Sequence, residues 1–208
     1  YTIKIMENIF SSGYSNLGAM IAYNDPIIIQ IFTSFLNFAH VIDFNDIVRY
    51  PKHLIQIIRL MECLFNNFSD FIVNIDISFL RTALIICTYF NNPSDYDSIK
   101  KTFRVISSIT DCCVRLDGTP KGKELFENTR ETFCGVLQML ETFIMKMKFS
   151  IQFQDSDVHY EQLIELTKNV LRMKPSNWTE IRQRLSLFLK SLKDERAKKL
   201  IDDLVSIK

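Results

Sequence analysis

Glycine and proline are scarce in this sequence, with only 5 of each among 208 residues. Runs that alternate apolar and polar residues between turn pairs are also lacking, and all-β folds need such runs. Apolar residues, by contrast, make up 47% of the chain and include 17 Phe. Disordered chains have few aromatic residues and a large net charge. The composition therefore excludes disorder and argues against an all-β fold.

Charge of one sign is also lacking, since the formal net charge is only +1. A strong electrostatic attraction to nucleic acid or to anionic lipid needs a large basic excess. The uncharged stretch 26–42 contains Gln30, Asn37 and His40 and is short for a bilayer span. We therefore expect a buried helix there, and neither a membrane nor direct nucleic acid as partner. Because the first residue is Tyr1, we expect an excerpt of a longer chain.

The residue constellations of catalytic and metal sites are missing too. The three His residues are far apart, and no cluster of His, Cys, Asp and Glu arranged as on a metal-binding helix face stands out around any of them. No paired carboxylates or phosphate loop occur, so we predict no catalytic residue, no metal, no cofactor and no enzyme activity. The cysteines are odd in number and form no CxxC motif, which favours free thiols in the cytosol or nucleus: Cys63, Cys87, Cys112, Cys113 and Cys134.

What the sequence does contain is helical periodicity. The clearest stripe begins after Pro51, and residues on its other side are polar, among them Arg59 and Asn66. Apolar residues three and four apart lie on one face of a helix, so the pattern predicts an amphipathic α-helix. The stripe consists of Leu54, Ile57, Ile58, Met61, Leu64, Phe65 and Phe68.

Prolines and capping residues divide the chain into helices. Helices are predicted to begin at Pro26, Pro51 and Pro120, with Gly118 in the connection before the last of these. Further caps are predicted at Asp76, Ser94, Ser176 and Asp194. The result is a single α-helical repeat domain over 1–208, with helix pairs at about 51–90, 94–149 and 156–192 and a final helix at 194–207. Pairs opening at Pro51 and Ser94 begin 43 residues apart, within the period of HEAT and armadillo units.

The block 49–53, Arg-Tyr-Pro-Lys-His, with the stripe that follows it, Phe71-Ile72 and the cap at Asp76, resembles the C-terminal repeats of karyopherin-β nuclear transport receptors. The stretch 15–26 is similar to the preceding repeat in exportins. The stretch 170–192 is similar to the penultimate repeat of transportins that import serine/arginine-rich cargo. The resemblance covers most of the chain, through pattern and spacing.

This resemblance implies an all-α, HEAT-like α-solenoid of antiparallel helix pairs, whose second helices line a concave surface. It implies a receptor that shuttles between cytoplasm and nucleus and binds protein cargo. Ran GTPase would bind through regions outside this sequence, and nucleoporins are candidate partners. Polar residues of the second helices would then face the cargo, and the partner-binding candidates are Arg81, Lys123, Arg130 and Arg182.

Two alternatives remain open from the sequence. One is an unrelated helical-repeat scaffold in vesicle traffic or cytoskeletal regulation. The other is a helical enzyme or lipid-binding domain with a cavity among its Phe residues. The charged C-terminal segment is interpreted as an exposed face with ion pairs such as Glu195 with Lys199, and Trp178 as a core residue.

Overall fold

The structure is a computed structural model, which describes residues 2–11, 17–23, 25–41, 49–75, 77–89, 96–146, 156–192 and 195–207. These ranges contain ten α-helices and no β-strand, so the all-α prediction is confirmed. The helices are α1 Thr2–Ser11, α2 Leu17–Ala22, α3 Pro26–Val41, α4 Pro51–Ile75, α5 Ile77–Thr88, α6 Tyr96–Arg115, α7 Pro120–Lys146, α8 Ser156–Leu171, α9 Trp178–Ser191 and α10 Glu195–Val205.

Proline determines where three of these helices begin. Helices α3, α4 and α7 start at Pro26, Pro51 and Pro120, as predicted, because proline has a helical φ and its missing N–H is not needed in the first turn. At α3 the Asp25 carboxylate accepts a hydrogen bond from the Ile27 backbone N–H at 2.9 Å, which is an N-terminal cap.

The connection between α6 and α7 depends on two glycines. Gly118 has a φ of +81°, a conformation that side chains with a Cβ rarely adopt. A Cβ added at Gly122 would lie 1.9 Å from the Leu116 carbonyl oxygen. The Gly122 N–H donates to the Thr119 hydroxyl at 2.9 Å, which caps α7. The turn is therefore tight enough to require glycine at Gly122.

The predicted cap at Ser176 is wrong. The residue before α9 is Asn177, and its side chain makes no capping hydrogen bond. Instead, Asn177 Nδ2 donates to the Cys134 carbonyl oxygen at 3.0 Å, and the Ser176 hydroxyl lies 3.4 Å from the Cys134 sulfur. Both side chains are thus used to attach the start of α9 to α7. The caps predicted at Asp76, Ser94 and Asp194 lie outside the described residues.

The predicted stripe of α4 forms the centre of the core. Its residues from Leu54 to Phe65 are at most 8% exposed, while Arg59 and Asn66 on the other side are exposed. Phe68 differs, because its φ and ψ of −135° and 17° interrupt the helix. Its ring is half-buried and lies edge-on to the rings of Phe10 and Phe32, with centroids 6.2 and 5.6 Å away.

The helices pack in two series. In one, α1 packs on α4, α4 on α6, α6 on α8 and α8 on α10. In the other, α5 packs on α7 and α7 on α9. Contacts between the series, such as α4 with α5 and α6 with α7, close one hydrophobic core that extends from Phe10 to Leu204.

Polar contacts within the first series join residues that are 42 positions apart. Arg104 Nη1 of α6 lies 2.7 Å from the Glu62 carboxylate of α4. The Ser108 hydroxyl, one turn further along α6, donates to Asn66 Oδ1 at 2.9 Å. Both contacts have the same offset, so α4 and α6 lie side by side in one fixed register.

The second series repeats this register at an offset of 43. Arg184 of α9 donates from Nε and Nη2 to the two carboxylate oxygens of Glu141 in α7, at 2.5 and 2.7 Å. The Asn177–Cys134 hydrogen bond also spans 43 positions. The Glu141 side chain is 7% exposed, so Arg184 neutralises a carboxylate that water scarcely reaches. The hydrogen bonds to Glu141 raise the pKa of Arg184, which remains charged.

The stripe of α4 gives a first prediction. Phe65 is 1% exposed, and its ring stacks on Phe79 of α5 at 5.8 Å. Phe65→Ala should lower the free energy of unfolding by about 3–5 kcal/mol, because it leaves a cavity between the two series. Leu187→Ala, at a side chain that is 65% exposed, should change it by less than about 0.5 kcal/mol. Urea denaturation of both variants measures the difference, and equal midpoints would mean that the stripe is misassigned.

The two arginine contacts give a second prediction. Arg184→Ala should destabilise the fold by about 2 kcal/mol, since it leaves Glu141 buried without its partner. The partial exposure of Arg184, 39%, keeps this below the loss expected for a fully buried pair. Arg104→Ala removes a pair whose arginine is 54% exposed and should lose at most about 1 kcal/mol.

Thermal or urea denaturation of the two alanine variants tests this ranking. Replacing both partners, as in Glu141→Leu with Arg184→Met, should restore most of the stability lost in Arg184→Ala, because no buried charge is then left unpaired. Equal losses for Arg184→Ala and Arg104→Ala would contradict the role assigned to burial.

Candidate protein-binding surface

The four residues predicted to bind a partner lie on the three helices of the second series. Arg81 is on α5, Lys123 and Arg130 are on α7, and Arg182 is on α9. The first three are exposed and Arg182 is half-buried. They are therefore spread along the series, and no shared cluster of all four is formed.

Lys123 and Arg130 belong to one face of α7. They are seven residues apart, which is almost two helical turns and about 10 Å along the axis. The Arg130 guanidinium carbon lies 6.0 Å from the centroid of the Phe126 ring, within the range of a cation–π contact. Arg130 thus holds Phe126 in place, next to Lys123.

A cavity of about 520 Å³ opens beside this face. It lies where the connection between α6 and α7 meets the connection between α8 and α9, two turns that are far apart in sequence. Of the four predicted residues, only Lys123 lines it. The lining residues are Cys113, Val114, Asp117, Gly122, Lys123, Phe126, Glu127, Arg172, Met173 and Lys174.

The floor of the cavity is apolar and its mouth is charged. Met173 and Cys113 are only 5% and 6% exposed, whereas the charged lining residues are all exposed. Burial, and then the neighbouring Cys112, raise the pKa of the Cys113 thiol from 9.0 to about 12. Cys113 therefore stays a neutral thiol at physiological pH and contributes apolar surface rather than a nucleophile.

Arg172 and Lys174 also line the cavity but were not predicted to bind a partner. Both lie in the connection that follows α8, where Lys174 has a φ of +48° and precedes Pro175. The sequence signal was the Lys-Pro pair after a helix, which marks a turn. The pair does not reveal that this turn lies beside the start of α7, because that position depends on how the helices pack.

The charged C-terminal segment forms ion pairs, although not the predicted one. Glu195 pairs with Lys198 at 2.6 Å rather than with Lys199. Arg184 pairs with Glu180 as well as with Glu141. The Glu195–Lys198 pair fits the predicted solvated face, whereas the Arg184–Glu141 pair joins α9 to a buried carboxylate of α7.

Trp178 lies at the start of α9 and packs against the core, as predicted. Its ring is half-buried, and Nε1 donates to the Ile207 carbonyl oxygen at 3.3 Å. The indole thus joins α9 to the residues that follow α10, which is a packing role.

All five cysteines are free. Within the described ranges, no three His, Cys, Asp or Glu side chains are close enough to hold a metal ion. Among the helices described above, none combines the length and apolar character that a membrane span requires. Comparison with protein-family models, with curated proteins and with solved structures finds no match to this chain.

The Cys113 thiol gives a prediction about pH. Its pKa is 9.0 in an unfolded chain and about 12 in the fold, so between these values the unfolded state loses the proton first. The stabilisation is complete below pH 9 and is lost as pH rises towards 12, by at most about 1.4 kcal/mol per pH unit. In Cys113→Ala, the free energy of unfolding should fall less steeply over this range than in the wild type.

Urea denaturation at a series of alkaline pH values measures the two slopes. Ile109→Val is the matched control, because it removes a buried methyl group from the same helix but no thiol. It should lower the stability at every pH without changing the slope. Parallel curves for Cys113→Ala and the wild type would contradict the assignment.

Proposed function

We propose that this chain is a HEAT-like α-solenoid of antiparallel helix pairs and acts as a protein-binding segment of a nuclear transport receptor, with no catalysis of its own. The observation that carries the proposal is the offset of 42–43 residues between polar partners in both helix series. A stack of equivalent units brings residues one unit apart into contact. The offset falls within the roughly 40–47 residues of a HEAT or armadillo unit.

The order of helix contacts supports the same proposal. In a solenoid each unit touches mainly its neighbours, so first helices stack on first helices and second on second. The series α4–α6–α8–α10 and α5–α7–α9 follow this order. The connections between helices would then lie along the edges of the stack, and the outer faces of the helices would be free to bind a partner.

The receptor role rests on the resemblance of 15–26, 49–76 and 170–192 to karyopherin-β repeats. In this proposal α5, α7 and α9 provide the cargo-binding face. Arg81, Lys123 and Arg130 are exposed there and would contact acidic groups on protein cargo, with Arg182 at the edge. Ran would bind outside these residues, nucleoporins would be further partners, and the protein would shuttle between cytoplasm and nucleus.

Binding of Ran tests the receptor role. The full-length protein should bind Ran loaded with GTP and bind the GDP form at least tenfold more weakly, since transport receptors distinguish the two states. Isothermal titration calorimetry measures both affinities. Arg130→Glu should leave Ran binding unchanged, because the proposed Ran contact lies outside this segment.

Two results would contradict the receptor role. Equal affinity for the two nucleotide states would indicate a contact unrelated to transport. No measurable binding of Ran-GTP by a folded full-length protein would favour the unrelated helical-repeat scaffold, in vesicle traffic or cytoskeletal regulation.

A further inference from the structure

The cavity beside the α6–α7 connection has the properties of a binding site for a particular kind of ligand. We propose that it binds an extended peptide segment of a partner protein, in which one large apolar side chain is flanked by carboxylates. This inference rests on the proposed protein-binding function and adds to it a location and a ligand class.

The cavity is large enough for one large apolar side chain together with the peptide backbone on either side of it, and its floor is apolar. Its volume, about 520 Å³, is within the roughly 300–1,000 Å³ of typical ligand pockets. Met173, Cys113, Val114 and Phe126 provide apolar surface, and the Arg130 guanidinium lies 6.0 Å from the centroid of the Phe126 ring. An aromatic or aliphatic side chain that leaves water here gains the usual stabilisation of apolar burial.

The mouth of the cavity favours negative charge. Lys123, Arg172 and Lys174 line it, and within the part of the chain that is described no carboxylate forms an ion pair with any of them. The lining also contains two acids, Asp117 and Glu127, which the three cations outnumber, so the mouth keeps a net positive charge. Carboxylates of an incoming peptide would therefore meet cations that are not paired with a carboxylate among the described residues.

Lys174 provides independent support. Its φ of +48° is in the left-handed region, where glycine or asparagine usually ends a helix. A lysine is not needed for the turn, and glycine would form it with less conformational cost. A residue that folding alone does not favour, placed at the mouth of a cavity, points to a role in binding.

An extended peptide fits this mouth better than an enclosed small molecule does. The charged lining residues are all exposed, so both ends of a bound segment can continue into solvent. The cavity lies between two connections rather than inside one helix pair, and a chain can pass across the gap between them. A small apolar molecule would gain from the floor but would leave the cations unused.

Fluorescence anisotropy with a defined probe tests the proposal. The probe is a labelled peptide with one phenylalanine flanked on each side by glutamates. It should bind the chain in a saturable manner, and its affinity should fall as salt is added. A peptide with glutamine in place of glutamate, and one with alanine in place of phenylalanine, should each bind at least tenfold more weakly.

Variants of the chain locate the site. Three single substitutions should each lower the affinity for the probe about threefold, as expected for an exposed ion pair: Lys123→Gln, Arg172→Gln and Lys174→Gly. Lys174→Gly should do so without lowering the unfolding midpoint, which separates binding from folding. Val114→Phe, at a side chain that is 36% exposed, should fill the floor and abolish binding. Lys52→Gln, an exposed cation on α4, is the matched control and should bind normally.

Three results would overturn the proposal: no saturable binding, equal binding of the glutamine peptide, or wild-type affinity in both Val114→Phe and Lys174→Gly. Displacement of the probe by decanoate at equal concentration would also contradict it, in favour of a small anionic amphiphile. If Ran-GTP still binds the full-length protein, such a failure refutes only the peptide site. If the probe binds but Ran-GTP does not, the peptide site stands and the receptor role fails.

Discussion

Side-by-side packing of helices in a fixed register is the constraint on which the rest of this structure depends. Each helix of a series buries its apolar stripe against the next helix. A shift of one helix along its axis would therefore expose apolar side chains and also separate the polar partners. The pair Arg104–Glu62 and the pair Arg184–Glu141 belong to different series but have nearly the same offset. Apolar burial supplies most of the stability, while the polar contacts favour this register because a shift would leave their groups unpaired.

The two arginine pairs have nearly the same sequence offset but differ in burial, and we expect them to differ in energy. Glu141 is nearly inaccessible to water and accepts both hydrogen bonds from one guanidinium, whereas the Arg104 side chain remains more than half exposed. Removing a carboxylate from water is unfavourable, and only good geometry compensates for it. Substitution of either partner in the α7–α9 pair should therefore lower the stability more than substitution in the α4–α6 pair.

The sequence predicted the features that depend on neighbouring residues. The helix starts at Pro26, Pro51 and Pro120 and the buried stripe of α4 follow from proline chemistry and the 3.6-residue period. The failures come from contacts between distant segments. Ser176 was predicted to be a local capping residue, but the closeness of Cys134 gives the side chains of Ser176 and Asn177 other partners. Of the cavity, only Lys123 was selected, because Arg172 and Lys174 reach it through the stacking of two helix pairs.

The break in α4 has a mechanical consequence. An uninterrupted helix resists bending through its continuous hydrogen-bond ladder, and that ladder is perturbed at Phe68. The Phe68 ring lies against Phe10 and Phe32, so this weak point coincides with the junction between the first three helices and the remaining ones. Bending of this fold would therefore concentrate at Phe68, where aromatic edges can shift against one another while the helices packed in register beyond it keep their arrangement.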